Sequence, residues 1–517
     1  MRNVCRVLLA GVACLLVAAV ATGGFMWSVG RSPSTRLRPQ PSRPRPSPVV
    51  QAAKKAELPA DDPIEWPLED GGVSLANLFT GPLGDGRSLS TLREAIRVRG
   101  PLAEALMRSR LDLLHLDGHS STDHVIQGIQ IRNSLALLAL YDGRLEDADK
   151  GFAEALAWAE KADTSPAKRT DLLLLRGVVA LRRGERDNCV ACVGPSSCIF
   201  PILPEAAHTQ QRGSRDAVAL FTACLERRPE DLRARWLLNL AYMTLGEYPD
   251  KVPARYLVPL DGFRSKLDVG RSVNVANSAG LNTRGPNLAG GSVFDDFTGD
   301  GLPDLLTTSL DIDRGASLFV NRGDGTFEDR SAAAGLSDQV YALNVTRTDY
   351  DNDGDLDALL LRGGWERPMR MSLLRNRGDG TFEDVTLAAG LDEPITCESA
   401  AWGDFDGDGL VDVFTCGEYL LPSGQSAASG PDPRNRCRLY RNRGDGTFED
   451  VASRAGVENM RCAKGSAWGD YDGDGRIDLY VSNMSGPSRL YHNEGDGTFR
   501  DVAPDLGVTG AEASFAV

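Results

Sequence analysis

The sequence carries none of the short motifs that mark hydrolases, metalloproteases or nucleotide-binding enzymes: G-x-S-x-G, H-E-x-x-H and a phosphate-cradling glycine loop are all missing. The haem-attachment signal C-x-x-C-H is missing too, since Val193 follows Cys192. There is no basic surplus either. The 517 residues hold 57 Lys and Arg against 72 Asp and Glu, a formal net charge of −15, which argues against a nucleic-acid-binding surface. Wholesale disorder is excluded by a hydrophobic content of 42% with 25% charged residues. Long apolar runs are absent with one exception, Val7 to Val29.

What is present is unevenly spread. Residues 1–55 contain nine Lys and Arg and no acid, so the remainder holds 48 basic and 72 acidic side chains, a net of −24. A body that acidic repels itself unless it holds cations. The apolar run, preceded by Arg2 and Arg6, is long enough to cross a bilayer as a helix. It also fits a cleaved signal peptide ending at Ala19-Val20-Ala21, so residues 1–30 read as a signal anchor or signal peptide. Residues 31–55 form a Pro/Arg-rich linker, stiff and extended. The expected location is extracytoplasmic: periplasmic, cell-surface or secreted, with residues 7–29 as the membrane attachment if the leader is retained. Eight cysteines lie beyond the leader, an even number that permits four disulfides in an oxidising compartment.

Residues 56–265 have helical periodicity with a repeat of about 34 residues. Ala148, Phe152, Ala155 and Leu156 make a small-large-small stripe, and Ala217, Phe221, Cys224 and Leu225 repeat it. The pattern resembles a tetratricopeptide-repeat array of paired helices. An insertion near 187–214 displaces one helix and carries Cys189, Cys192, Cys198 and His208. Those four residues offer a site for a soft metal or a redox group, against the plainer reading of a tied surface loop. His115, His119 and His124 form a second histidine cluster, read as exposed polar residues.

From residue 270 to 517 the period changes to two, and one unit recurs four times: an acidic loop, an apolar strand, then a strand and turn of the form N-x-G-D-G-T-F. D-x-D-x-D-G-x-x-D is oxygen chemistry. Carboxylates at positions 1, 3 and 5 converge, glycine permits the sharp turn, a carbonyl at 7 fills in, and Asp at 9 closes a shell suited to Ca²⁺. Three loops are complete: Asp349, Asp351, Asp353 and Asp357; Asp404, Asp406, Asp408 and Asp412; and Asp470, Asp472, Asp474 and Asp478. The first has Thr298 at position 3, which leaves Asp296, Asp300 and Asp304 and predicts a weaker site. About one Ca²⁺ per loop is expected. Arg-Gly-Asp occurs at 322–324, 377–379 and 443–445, but Glu494 takes the arginine place in the fourth copy, so the tripeptide reads as a turn and not as an adhesion signal.

These units resemble the FG-GAP/VCBS (integrin-α-type) repeat, and more closely the bacterial cartilage-acidic-protein-like (ASPIC/UnbV-associated) group. The resemblance implies a β-propeller of four-stranded blades with Ca²⁺ in an early loop of each. The fold class is thus α + β multidomain: leader helix, tetratricopeptide-like α-helical array, then β-propeller. Four loops are fewer than the seven or so blades such propellers use, and the terminal Ala-Glu-Ala-Ser-Phe-Ala-Val aligns with a strand entering a fifth loop, so the array reads as incomplete. Similar placement on neighbouring blades pairs Cys397 with Cys462, and Cys416 with Cys437 across an insert. The expected role is a calcium-binding protein- or glycan-interaction (adhesion) module without catalysis. The alternatives are an enzyme using the Cys189/Cys192/Cys198/His208 loop, or a structural envelope scaffold.

Overall fold

The computed structural model describes residues 87–510, apart from 115, 117–119, 190–195, 197–198, 264–266, 268–269, 282–289, 365–367, 419–435 and 485. The leader, the Pro/Arg-rich linker and the terminal residues 511–517 lie outside the described residues. Among the described residues, no helix is long and apolar enough to cross a membrane. Two compact units emerge, one of described residues 98–273 and the other of 274–510 together with 87–97.

The first unit is helical. It contains the end of α1 (Leu89–Leu113), then α2 (Thr122–Tyr141), α3 (Leu145–Lys161), α4 (Pro166–Cys189), α5 (Arg212–Arg227) and α6 (Leu232–Thr244), each from α2 onward packed on the next. Gly143, at φ 74°, takes the left-handed conformation that lets α3 fold back on α2. Helix α3 opens with Glu146 and Asp147 and closes on Lys161, charges that match its dipole. Its stripe Ala148, Phe152, Ala155, Leu156 and Ala159 is buried, as is Ala217, Phe221, Cys224 and Leu225 on α5. Small residues set the spacing. A Cβ on Gly213 would lie 2.3 Å from the backbone nitrogen of Gly184, so α4 and α5 meet backbone to backbone. Helix α6 starts at Asp231, whose carboxylate accepts from the backbone N–H groups of Arg233 and Ala234.

The second unit holds four four-stranded antiparallel sheets, each a simple meander in sequence order: β1 (Ser292–Asp295) to β4 (Phe327–Asp329), β5 (Asn344–Thr348) to β8 (Phe382–Asp384), β9 (Cys397–Gly403) to β12 (Phe448–Asp450), and β13 (Ala463–Gly469) to β16 (Phe499–Asp501). Short helices α7 (Ala452–Ala455) and α8 (Ala503–Leu506) follow the third and fourth sheets. First strands of successive sheets neighbour one another, so the sheets stand side by side as blades. Apolar second strands such as Asp357-Ala-Leu-Leu-Leu361 are buried throughout, and three cores fill the spaces between successive blades.

Helix α1 is divided between the units. Its first turns place Leu89, Leu92 and Ile96 against Val340, Tyr341 and Met369, while Arg93 and Arg97 pair with Asp338 and Asp313. The cysteine pairs expected from blade position are not formed. Cys397, Cys416, Cys437 and Cys462 are all buried, and none is in a disulfide. Cys397 packs in the core between the second and third blades, donating to the Ser399 carbonyl, whereas Cys416 and Cys437 pack between the third and fourth. They act there as small apolar groups, and burial pushes Cys437 and Cys462 up to about 12.

Candidate cation loops

Each acidic loop joins the first and second strands of its blade. The aspartate at position 1 folds the loop around itself. Asp404 accepts from the N–H groups of Gly407 (2.8 Å), Asp408 (3.1 Å) and Gly409 (2.9 Å), and Asp470 does the same with Gly473, Asp474 and Gly475. Position 4 needs a positive φ, supplied by Gly299, Gly407 and Gly473 and, at 58°, by Asn352. Position 5 caps the N–H of position 7, as Asp353 does for Asp355 at 2.9 Å.

The position-9 aspartates are the buried anchors. Asp304, Asp357, Asp412 and Asp478 are at most 1% exposed, and each accepts from the backbone N–H of position 2 and from an asparagine N–H on the third strand. Burial, with acidic neighbours adding to it, pushes Asp357 and Asp412 up to about 7.

The loops differ in what they bring together. In the second, Asp349, Asp351 and Asp353 place carboxylate oxygens within 4.8 Å of one another, and the buried Oδ1 of Asp351 has no hydrogen-bond partner. Like charges held this close, one with an orphaned oxygen, suit a divalent cation. In the third loop Asp404, Asp406 and Asp412 converge likewise, and the Arg441 guanidinium lies on the cluster, 2.6 Å from Asp406 and 3.0 Å from Asp408. In the fourth, Asp470, Asp472 and Asp474 converge, and His492 joins Asp472 and Asp478 in a second grouping. The first loop forms no such group among the described residues. Thr298 there donates its hydroxyl to Asp304 at 3.2 Å, so Asp296, Asp300 and Asp304 are not drawn to one point.

Sequence reasoning passed over four asparagines. Asn376, Asn442 and Asn493 each donate through Nδ2 to the position-2 carbonyl of the preceding blade's loop, Phe297 (2.9 Å), Tyr350 (2.8 Å) and Phe405 (2.8 Å). Among the described residues, Asn321 on the first blade bonds only within its own blade, its Nδ2 donating to the Pro303 carbonyl. The only signal was an invariant Asn opening each N-x-G-D-G-T-F unit. The acid of that unit is a turn brace: Asp324, Asp379, Asp445 and Asp496 each accept from the N–H and hydroxyl of the threonine two residues on. The residue before the Gly-Asp pairs across its hairpin. Arg322, Arg377 and Arg443 meet Glu328, Glu383 and Glu449, whereas in the fourth blade Glu494 meets Arg500 with the signs exchanged.

Of the inserted-loop residues, Cys192 and Cys198 lie outside the described residues, and Cys189 ends α4. His208 is buried in the helical unit, its Nδ1 sharing a 2.8 Å hydrogen bond with the Ser214 hydroxyl and its backbone N–H donating to the Thr244 carbonyl. His115 and His119 are outside the described residues, and His124 is exposed in the first turn of α2.

Four antiparallel blades, each with an acidic loop after its first strand and a braced Gly-Asp-Gly turn after its third, define a repeat protein of propeller-blade type. Residues 296–360, 349–415, 427–481 and 470–517 match the FG-GAP-like repeat. Cartilage acidic protein 1 of Xenopus tropicalis is 30% identical over 270 residues, which cover 50% of this chain and 38% of that protein. The Homo sapiens and Mus musculus proteins of the same name are each 27% identical over 283 residues, 52% of this chain and 39% and 40% of theirs. The chain thus carries four FG-GAP-like repeats and is similar over about half its length to cartilage acidic protein 1. It spans about two fifths of the length of these relatives.

Proposed function

We propose that the protein is an extracytoplasmic interaction module whose blades are held by calcium and whose surface, with that of a tetratricopeptide-like helical array, binds a protein or glycan ligand. The observation that carries the reading is the second loop, where three carboxylates converge and an oxygen of Asp351 has no hydrogen-bond partner among the described residues. Calcium bound there by Asp349, Asp351, Asp353 and Asp357 supplies charge neutralisation and fixes the loop, and the third and fourth loops offer the same donors. What the ion would add is rigidity at the loop tips, where a ligand is met.

Export through the leader at residues 7–29 would bring the loops into millimolar calcium, enough to fill sites of extracellular affinity. The relatives' name, cartilage acidic protein, is in keeping with that compartment and with the net charge of −15. The cysteine-histidine alternative in the helical insertion is weakened by the commitment of His208 to Ser214.

Elemental analysis of the full chain, with calorimetry before and after chelation, tests the reading. About two to four calcium ions per chain and a melting temperature that falls on chelation are expected. Calcium below one ion per chain, or an unchanged melting temperature, would overturn it.

A further inference from the structure

One third-strand position, immediately before the bonding asparagine, is Val320, Arg375, Arg441 and His492 in the four blades in turn. It holds three residue types while the loop pattern recurs. On the third blade Arg441 sets a guanidinium on Asp406 and Asp408, a cation supplied by the protein itself. On the second, Arg375 turns instead to Glu383, at 2.9 Å, leaving the Asp351 oxygen unsatisfied.

The fourth blade does something else. His492 lies with its side chain 14% exposed, and its Nδ1 is sealed from solvent without a hydrogen-bond partner. That nitrogen is 3.3 Å from Oδ2 of Asp472 and 3.3 Å from Oδ1 of Asp478, an aspartate 1% exposed. Two donors each about 2.1 Å from one ion at a tetrahedral angle stand about 3.4 Å apart. Imidazole nitrogen with two carboxylate oxygens is a borderline donor set, better matched to Zn²⁺ or Co²⁺ than to Ca²⁺, which prefers oxygen alone. Tyr471, in edge contact with the imidazole at 6.0 Å between ring centres, fixes the ring's orientation.

We propose that Asp472, Asp478 and His492 form a binding site for a zinc-class divalent cation, distinct in chemistry from the all-oxygen loop of the second blade. The proposal rests on the reading that the acidic loops hold cations, but it assigns the fourth loop a different ion.

The test titrates Co²⁺ into the full-length protein in saturating Ca²⁺ and follows paramagnetically shifted proton resonances, with Zn²⁺ affinity measured in parallel. One exchangeable, far-shifted imidazole N–H is expected, present in the wild-type chain and in the Cys189→Ser/Cys198→Ser variant. It should vanish in His492→Gln, with Zn²⁺ affinity lowered at least tenfold and bound calcium on the second loop unchanged. His492→Arg, which copies the Arg441 arrangement, should abolish the signal while preserving near-ultraviolet circular dichroism. A shifted signal that survives both substitutions, or Zn²⁺ affinity equal in wild-type and His492→Gln chains, would overturn the proposal. Loss of the calcium reading would show separately, as absent calcium in wild-type protein whatever the cobalt result.

Discussion

Asn442→Ala should loosen the joint between the second and third blades, and the loss can be worked from its bonds. The side chain is 2% exposed and makes three hydrogen bonds: to the Tyr350 carbonyl at 2.8 Å, to the Val411 carbonyl at 3.2 Å, and from the Gly444 N–H at 3.0 Å. The Tyr350 carbonyl is buried, so truncation leaves it unsatisfied at about 1–3 kcal/mol, and the two partly exposed bonds add about 0.5–1.5 kcal/mol each, for about 3–4 kcal/mol together. Asn321 is the internal control. It keeps the equivalent bonds to Pro303 and Gly323, both exposed, and among the described residues has no bond to another blade, so Asn321→Ala should cost only about 1–2 kcal/mol. Urea unfolding in saturating calcium reads the difference. With an m-value near 3 kcal/mol/M the midpoint should fall by about 1 M for Asn442→Ala and by about 0.5 M for Asn321→Ala, at constant m. Equal midpoints for the two variants would refute the claim that the asparagine acts between blades.

Gly213→Ala would force a methyl group into the α4 backbone, and the helical unit should lose about 3 kcal/mol or more while calcium content is unchanged, read by thermal unfolding with and without chelator. Cys397, Cys416, Cys437 and Cys462 should resist thiol reagents at pH 8 in the folded protein and react together on unfolding; rapid labelling of the native state would contradict their burial. Hydrogen bonding to Arg186 holds Glu146 down to about 2, so its contribution is present above about pH 4.5 and lost as the pH falls toward 2. Glu146→Gln should flatten the acid limb of helical-unit stability by less than about 1 kcal/mol, because the pair is largely exposed. Arg443→Glu should cost about 0.5 kcal/mol and be rescued by Glu449→Arg, the arrangement the fourth blade already uses.

Much of the blade architecture was legible because its determinants are local. Strand alternation, the sharp turn at Gly301, Gly354, Gly409 and Gly475, and the braced Gly-Asp-Gly-Thr hairpin all lie within about a dozen residues. The helical stripe was legible for the same reason: Ala148, Phe152 and Ala155 are each 0% exposed. The asparagine joints escaped because their partners lie 79, 92 and 88 residues away in sequence. Helix α1 escaped for a related reason, since Leu92 and Ile96 carry an ordinary helical period that does not say which core receives them. The cysteine pairs misled because equivalence of blade position fixes neither which core a side chain enters nor whether two thiols meet.

Repetition itself explains where the remaining information sits. A residue present in every copy, such as the position-9 aspartate or the asparagine that binds it, serves the geometry all blades share; all four aspartates and three of the asparagines, Asn376, Asn442 and Asn493, are buried and bonded to backbone. The Arg-Gly-Asp tripeptide follows the same logic: its acid braces a turn in all four copies, and its arginine exchanges sign with a cross-hairpin partner without disturbing that turn. Functional difference must then lie where copies diverge under a constant frame. Val320, Arg375, Arg441 and His492 occupy one such position: on the third blade the arginine engages Asp406 and Asp408, on the second it turns to Glu383, and on the fourth a histidine nitrogen lies 3.3 Å from both Asp472 and Asp478.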